Sequence, residues 1–137
     1  MNYLLDTNAC IALINRTSAG VRSRFQRALG GGANIYVSSV VTFELWYGVA
    51  KSVYQSQNTL RLEAFLAGPI IVLPLEKEDA RVAGSVRASL QASGTPIGAY
   101  DVLIAGQALA RQYTLVTANV SEFSRVKGLS WQDWAKP

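Results

Sequence analysis

Four of the nine acidic residues stand where an ordinary solvated charge is not expected; they are Asp6, Glu44, Asp101 and Glu122. Asp6 ends the apolar segment that opens the chain, and Glu44 lies inside the apolar run of residues 40–46. Carboxylate oxygens are hard ligands that suit Mg²⁺ or Mn²⁺, and a cation among several of them offsets their mutual repulsion. Because such a cation activates water and stabilises a phosphoryl transition state, the set predicts a metal-dependent phosphodiesterase.

Each of these acids also has an ordinary structural interpretation. Asp6 and Asp101 are suitable helix N-caps, which contribute only about 1 kcal/mol each. Asn119 and Glu122 have the spacing of a capping box. Glu44, whose burial without a partner would be costly, could instead form an ion pair with a neighbouring Lys or Arg or lie on a helix face that reaches water. The caps explain single residues well, whereas four carboxylates near strand ends favour a shared cleft.

The composition removes most other catalytic chemistries. The 137 residues include no His, which excludes a Ser-His-Asp triad, an imidazole acid–base pair and a His-ligated metal. Cys10 is the only cysteine, so an internal disulfide and a Cys-rich zinc site are excluded and a reducing cytoplasm is expected. Catalysis must therefore rest on carboxylates, hydroxyls, amides, Lys and Arg.

The charge balance indicates a polyanionic substrate. The chain has 13 Lys and Arg against 9 Asp and Glu, and setting the four unusual acids aside leaves a balance of +8. A basic body around an acidic, metal-filled cleft suits a nucleic acid. Arg125 and Lys127 follow Glu122 closely and are the best candidates for phosphate contacts. Arg22, Arg24 and Arg27 fit a solvated helix face equally well.

Short apolar segments alternate with helical ones along the chain. Strands are predicted for residues 3–5, 34–38, 69–73 and 115–117. Helices are predicted after Asp6, from a Ser18 cap to residue 30, from a Ser39 cap to about Val53, around Leu62, and over residues 77–92, 101–111 and 119–123. Glu76, Glu78 and Asp79 look like solvated charges in a first helical turn. This alternation predicts a parallel sheet covered by helices, with ligands beyond the carboxyl ends of its strands.

No repeat or linker divides the chain, so residues 1–137 are predicted to form a single domain. The N-terminus lacks the basic region of a signal peptide. No stretch approaches the roughly 20 apolar residues that a membrane span requires. A cytoplasmic protein with no membrane partner is expected.

Four segments of the chain carry a family resemblance. They are Leu5-Asp6-Thr7-Asn8; Phe43-Glu44-Leu45-Trp46-Tyr47-Gly48; Gly94-Thr95-Pro96-Ile97-Gly98-Ala99-Tyr100-Asp101 with Ile104-Ala105; and Leu115-Val116-Thr117-Ala118-Asn119 through Glu122-Phe123 to Gly128-Leu129. In this order and spacing they resemble the PIN-domain nucleases, and within them the VapC-type toxins of bacterial toxin–antitoxin pairs. The tail Trp131-Gln132-Asp133-Trp134 is similar to that of enterobacterial-type members. The resemblance covers essentially the whole chain and implies a three-layer α/β/α sandwich with a central parallel sheet.

The resemblance also implies the activity and the roles of the site residues. It implies a Mg²⁺- or Mn²⁺-dependent endoribonuclease in which metal-activated water cuts RNA and leaves a 5′-phosphate and a 3′-hydroxyl. Asp6 and Asp101 would hold the metal most directly. Glu44 would complete the set and orient water, and Glu122 would bind a second metal or position water. Hydrogen bonds to the carboxylates or to the scissile phosphate would come from Thr7, Asn8, Thr117 and Asn119.

The partners are likewise implied by the resemblance. Toxins of this subgroup cut initiator tRNA in the anticodon loop, which makes that RNA the specific expectation. A homodimer and a cognate VapB-type antitoxin that inserts a peptide into the cleft are also implied. Trp46 and Tyr47, beside Glu44, are suited to such a peptide groove or to core packing. Tyr100, beside Asp101, is suited to stacking a base or to ordinary half-buried packing.

The chain departs from the family at one position that bears on the metal. Asn119 stands where many PIN domains carry an Asp, so the fourth charge must come from Glu122. One firm and one weak metal site are therefore predicted.

Two other classes of protein compete with the nuclease interpretation. A non-catalytic PIN-fold module would bind RNA without metal, and its binding would survive neutralisation of Asp6 or Asp101. A phosphatase or receiver domain is disfavoured, because Asp6-Thr7-Asn8 lacks both the second Asp expected two residues after an aspartyl nucleophile and a paired acid after the first strand.

Overall fold

The first strand of the chain is the central strand of the sheet. The structure is a computed structural model that describes residues 1–137, and its five strands pair in parallel in the order β3-β2-β1-β4-β5. The strands are β1 (Asn2–Leu5), β2 (Asn34–Ser38), β3 (Ile71–Leu73), β4 (Thr114–Val116) and β5 (Trp131–Gln132). Leu5 lies between Val37 of β2 and Val116 of β4, so the strand order reverses at β1. Ligand sites of such sheets lie beyond the carboxyl ends of the strands at this reversal.

Seven helices connect the strands and complete the predicted three-layer α/β/α architecture. They are α1 (Thr7–Asn15), α2 (Ala19–Gly30), α3 (Ser39–Ala50), α4 (Gln55–Leu66), α5 (Lys77–Ala92), α6 (Ala99–Arg111) and α7 (Val120–Phe123). None of them combines the length and the apolar character needed to cross a membrane.

The apolar strand residues form the centre of the core. Leu4 and Leu5 of β1, Val37 of β2 and Leu115 of β4 have no solvent-exposed surface. Both Leu4 and Leu5 are enclosed although their side chains point to opposite faces of the sheet, because helices cover each face. This two-sided burial explains why the strands appear in the sequence as continuous apolar runs rather than alternating ones.

Side-chain caps set the start of three helices. The Asp6 carboxylate accepts a hydrogen bond from the Ala9 N–H (2.8 Å), and the Ser18 hydroxyl accepts one from the Val21 N–H (3.2 Å), which confirms both predicted caps. The predicted Ser39 cap is wrong, because the Ser38 hydroxyl accepts the hydrogen bond from the Val40 N–H (3.0 Å). The Ser39 hydroxyl accepts one from the Leu75 N–H instead, which ties the chain after β3 to α3.

Three further boundaries differ from the predictions. Helix α3 ends at Ala50 rather than near Val53. Helix α6 begins at Ala99 with Gly98 at its N-cap, so Asp101 lies within the first turn and the predicted Asp101 cap is wrong. The tail, for which no strand was predicted, contributes β5, because Leu115 and Val116 of β4 pair with its two residues.

Asp79 is not the solvated charge that its position in a first helical turn indicated. Its side chain is 2% exposed, and its carboxylate accepts hydrogen bonds from the Arg111 guanidinium (3.0 Å) and the Glu76 N–H (2.8 Å). Arg111 is the last residue of α6. The pair therefore fastens the end of α6 to the beginning of α5, and removal of either partner would leave a poorly compensated charge.

Helices α5 and α6 approach each other most closely at Gly106. A Cβ atom built on Gly106 would lie 2.5 Å from the Cα of Ala83, closer than any real side chain could sit. The missing side chain lets the two backbones pack directly, and this contact sets the position of α6, which carries Asp101.

The contact between α5 and α6 predicts opposite effects for two glycine substitutions. Gly106→Ala should destabilise the protein by about 1–3 kcal/mol, because the added methyl group forces the helices apart. Gly84→Ala, in α5 beside Ala83, should stabilise it by up to ~1 kcal/mol, because nothing lies within 4 Å of the added carbon and Ala favours helix. Urea denaturation of both variants measures the difference, and an unchanged midpoint for Gly106→Ala would contradict the close packing.

Candidate active site

Asp6 occupies the carboxyl end of the central strand. Its main-chain N–H donates to the Val116 carbonyl (3.1 Å), which continues the pairing of β1 with β4, and its side chain is only 5% exposed. Burial raises the pKa of the Asp6 carboxyl, and the hydrogen bonds from the Thr117 side chain and the Ala9 N–H act in the opposite direction. The negative charge of Glu44 raises the pKa further. Asp6 is therefore the predicted cap of α1 and also a carboxylate whose pKa is raised by burial and by neighbouring charge.

Glu44 reaches the same end of the sheet from α3. The Thr7 hydroxyl donates to Glu44 Oε1 at 2.7 Å, which links the first turn of α1 to α3. No Lys or Arg forms an ion pair with Glu44, so that alternative is wrong. The other alternative agrees with the structure, because Glu44 is half-buried and therefore reaches water. The hydrogen bond engages one carboxylate oxygen, and the negative charge of Glu44 raises the pKa of Asp6.

Asp101 is the acid most affected by its surroundings. Burial, then a hydrogen bond with Glu122, then the negative charges of Glu122, Glu44 and Asp6 raise the pKa of Asp101 to about 7. Because repulsion between charges weakens with distance in water, the contributions of these three acids indicate that the four carboxylates face one cleft.

Glu122 is held by neutral donors on two sides. The Asn119 amide donates to Glu122 Oε2 (2.7 Å) and the Gly98 N–H donates to Oε1 (3.3 Å). The hydrogen bond with Asp101 is the largest of the effects that lower the pKa of Glu122, followed by those from Asn119 and Gly98 and by the charge of Arg125. The interaction between the two acids therefore raises the pKa of Asp101 and lowers the pKa of Glu122.

Of the other predicted residues, Thr7, Thr117 and Asn119 contact the acids, whereas Asn8 does not. Thr7 binds Glu44, and the Thr117 hydroxyl contacts Asp6 while it accepts a hydrogen bond from the Asn119 N–H (2.9 Å). Asn119 directly precedes α7, but its side chain forms no cap, so the capping-box interpretation is wrong. Asn8 is exposed and takes no part in these hydrogen bonds.

The two predicted phosphate contacts differ in how well they are placed. The Arg125 guanidinium donates to the Pro96 carbonyl (3.0 Å), and its charge lowers the pKa of Glu122. Lys127 is exposed, and no contact ties it to the acidic cleft. Of the basic α2 residues, Arg24 is not merely solvated, because its guanidinium donates to the main-chain carbonyl of Asp133 in the tail.

Asp133 is a fifth acid near the cleft that the sequence interpretation did not single out. It directly follows β5, and its negative charge contributes to the raised pKa of Asp6. Asp6 was singled out because it follows a strand. Asp133 would have been singled out for the same reason if the two-residue strand before it had been recognised.

The residues of the cleft fit a hard divalent cation by the chemistry of their donors. All four predicted acids present oxygen ligands, and the repulsion that contributes to the raised pKa of Asp101 is the kind that a cation relieves. No three of them are arranged in the structure so that they could hold an ion as they stand. The negative charge of the cleft therefore favours a cation, although the carboxylates do not surround one point in the structure.

The raised pKa of Asp101 predicts how stability depends on pH. A carboxyl with a raised pKa in the folded state contributes stability below its unfolded pKa and loses it as the pH rises through about 7. In EDTA, Asp101→Asn should therefore stabilise the protein more at pH 8 than at pH 5, by roughly 1 kcal/mol after solvent screening, or about 3–5 °C in Tm. Glu63→Gln, at an exposed acid of α4, is the matched control and should show no such dependence on pH.

Comparisons with known proteins agree with this geometry. Residues 3–129 match the family described as PIN domain. The chain is 39% identical to the tRNA(fMet)-specific endonuclease VapC of Shigella flexneri, over 98% of this chain and 99% of the relative. It is 36% identical to Ribonuclease VapC2 of Rickettsia felis, over 99% of this chain and all of the relative.

Solved structures show the same similarity. The crystal structure of DNA-bound VapBC from Salmonella typhimurium superimposes with a TM-score of 0.90 at 36% identity, covering 98% of both chains. The structure of VapBC2 from Rickettsia felis bound to a promoter DNA fragment gives a TM-score of 0.91 at 34% identity, covering 98% of this chain and 99% of that one. Sequence and structure together show that this chain belongs to the PIN-domain family and, within it, to the VapC-type ribonuclease toxins.

Proposed function

We propose that the protein is a Mg²⁺- or Mn²⁺-dependent endoribonuclease that cuts tRNA, with initiator tRNA as its specific target, and that a VapB-type antitoxin inhibits it. Asp6, Glu44, Asp101 and Glu122 form the catalytic set. The observation that carries the proposal is the pKa of Asp101, which burial and the surrounding carboxylates raise to about 7. A cleft that contains such unfavourable charge fits a site that works with a bound cation.

The metal would be held by Asp6 and Asp101, with Glu44 and Glu122 completing the set. When bound, a divalent cation supplies positive charge that lowers the pKa of water and offsets the charge of the phosphate in the transition state. A bound cation would favour the charged form of Asp101 and so act against burial and the neighbouring acids, which together raise its pKa.

Other residues orient water, position the acids and bind the phosphate. Thr7 holds one oxygen of Glu44, which leaves the other oxygen to orient water and accept its proton. Asn119 and Gly98 hold both oxygens of Glu122, so this side chain is fixed in place and serves to position its neighbours. Arg125, beside Glu122, has guanidinium N–H groups beyond the one donated to Pro96 and can grip a phosphate of the RNA.

The choice of tRNA is supported by two facts. The relative from Shigella flexneri, 39% identical over nearly the whole chain, is described as a tRNA(fMet)-specific endonuclease. Outside the four acids, the basic residues exceed the acidic ones by eight, which favours a folded polyanion over a small phosphate ester.

A groove beside the acids supports a peptide partner. It lies between α1, α3 and α4, has a volume of about 530 Å³ and reaches Glu44. Half of its ten lining residues are apolar, namely Ile11, Ile14, Leu45, Val49 and Leu62. Trp46 and Tyr47 do not line it, so that prediction is wrong for this groove. An antitoxin segment seated here would cover Glu44 and close the cleft, as a VapB partner of the kind present in the related VapBC complexes would do.

Cleavage of tRNA tests the proposed function directly. The purified chain, free of antitoxin, should cut bulk tRNA at discrete positions in Mg²⁺ or Mn²⁺, leave 5′-phosphate ends and have no activity in EDTA. Asp101→Asn should lower the rate by about 10²–10³-fold, because the variant weakens the charge that holds the cation. Mapping of the product ends identifies the RNA and the position of the cut.

Glu63→Gln is again the matched control and should cut as the wild type does. Addition of a VapB-type partner should abolish cleavage. Intact RNA under every condition, from a folded protein that still binds it, would contradict the nuclease and favour a non-catalytic RNA-binding module.

Asn119 predicts unequal metal sites. Calorimetric titration of the wild type with Mn²⁺ should show one firm and one weak site, because Asn119 supplies an amide where an acid would add a negative charge. Asn119→Asp should tighten the weak site roughly tenfold. Two equally tight sites in the wild type would contradict this prediction.

A further inference from the structure

We infer that one exposed face of α3, continued by Tyr100 of α6, holds unpaired bases of the RNA beside the catalytic acids. This aromatic stripe consists of Phe43, Tyr47 and Lys51. The inference rests on the proposed function and adds to it the path of the substrate strand and the reason why unpaired RNA is preferred.

The stripe combines exposed rings with a positive charge. Phe43 and Tyr47 are four residues apart on α3, and Lys51, four residues further on, is the C-cap residue of that helix. Residues at this spacing lie on one face, about 6 Å apart along the axis. Phe43 and Tyr47 are 53% and 60% exposed, which is unusual for large aromatic side chains. The Lys51 ammonium lies 4.9 Å from the centre of the Tyr47 ring. Aromatic rings interleaved with a cation are the surface on which single-stranded nucleic acids stack.

The stripe begins at the catalytic cleft. Phe43 directly precedes Glu44, and Tyr100 directly precedes Asp101. The Phe43 and Tyr100 rings meet edge to face with their centres 5.5 Å apart, and Tyr100 is 48% exposed. The pair therefore bridges α3 and α6 beside two of the acids. A base stacked on these rings would belong to a nucleotide next to the phosphate in the cleft.

The stripe is separate from the peptide groove and suits RNA better than protein. The groove uses Glu44, Leu45, Gly48 and Val49, which lie on another face of α3. A protein contact would bury Lys51 against the partner, and Lys is depleted in such contacts. A nucleic acid would instead place a phosphate near its ammonium, in keeping with the excess positive charge of the chain. The face thus complements an unpaired polynucleotide strand.

Binding of a fluorescent RNA tests the inference without cleavage. The probe is a short unpaired oligonucleotide that carries one fluorescent adenine analogue, titrated into the Asp101→Asn protein, with the same sequence as a duplex for comparison. Stacking should quench the unpaired probe. In this background Tyr47→Leu should weaken binding of the unpaired probe about 5- to 20-fold and leave duplex binding unchanged. Tyr47→Phe, which keeps the ring, should stay within about twofold of the parent.

Two controls separate stacking from charge and from general damage. Tyr54→Leu removes an equally exposed aromatic side chain outside the stripe and should not change binding. Lys51→Gln should lower the slope of log affinity against log salt by about one. In the otherwise active chain, Tyr47→Leu should raise KM for tRNA while kcat stays within about twofold.

The outcomes distinguish this inference from the proposed function. A wild type that cuts no RNA would refute the function, and the binding titration would still decide the role of the stripe. Equal affinities of Tyr47→Leu and the parent for the unpaired probe would overturn the inference. If sedimentation then shows a smaller mass for Tyr47→Leu, the face is a contact between two copies of the chain; an unchanged mass leaves it without either role.

Discussion

Asp6 is buried at the end of the central strand, and the cost of this burial is the constraint that the rest of the site must meet. Its position is set by β1, whose neighbours on both sides end at the same edge and bring Ser38 and Thr117 there. The Ala9 N–H and the Thr117 side chain stabilise the Asp6 carboxylate. Glu44 and Asp133 act against it, because the negative charge of each raises the pKa of Asp6. The site therefore stores repulsion that a cation would relieve.

The contacts that position the helix of Asp101 lie outside the acidic cleft. Gly106 lets α5 and α6 pack backbone to backbone, and Arg111 fastens the end of α6 to Asp79. These contacts position the first turn of α6 without any cation. This packing holds Asp101 in place although its own burial and the negative charges of Glu122, Glu44 and Asp6 raise its pKa. A carboxyl with such a raised pKa lowers the stability of the metal-free fold as the pH rises through about 7.

The predictions succeeded where one side chain or one periodicity determines the structure. The apolar runs that became β1, β2 and β4 were recognised because strands covered on both faces need continuous apolar residues. The edge strand β3, in which Ile71 and Val72 are exposed, was recognised by its β-branched residues. The predictions failed where a partner distant in sequence decides. Asp79 was predicted to be solvated, but the fold pairs it with Arg111, which is 32 residues away in the sequence. The two-residue strand β5 was missed because pairing with β4, rather than any local preference, makes Trp131 and Gln132 extended.

The sequence by itself determined the chemistry that is available to this protein. Without His and with one cysteine, the chain is restricted to carboxylates, hydroxyls, amides, Lys and Arg for catalysis, and four of its acids lie next to apolar segments. The tertiary structure decided what these residues do together. It turned the Asn119 amide toward Glu122 instead of a helix end, and it raised the pKa of Asp101 to about 7. It also brought Phe43 to Tyr100 across two helices. Repulsion and ring contacts depend on distances across the fold, and spacing along the chain does not specify them.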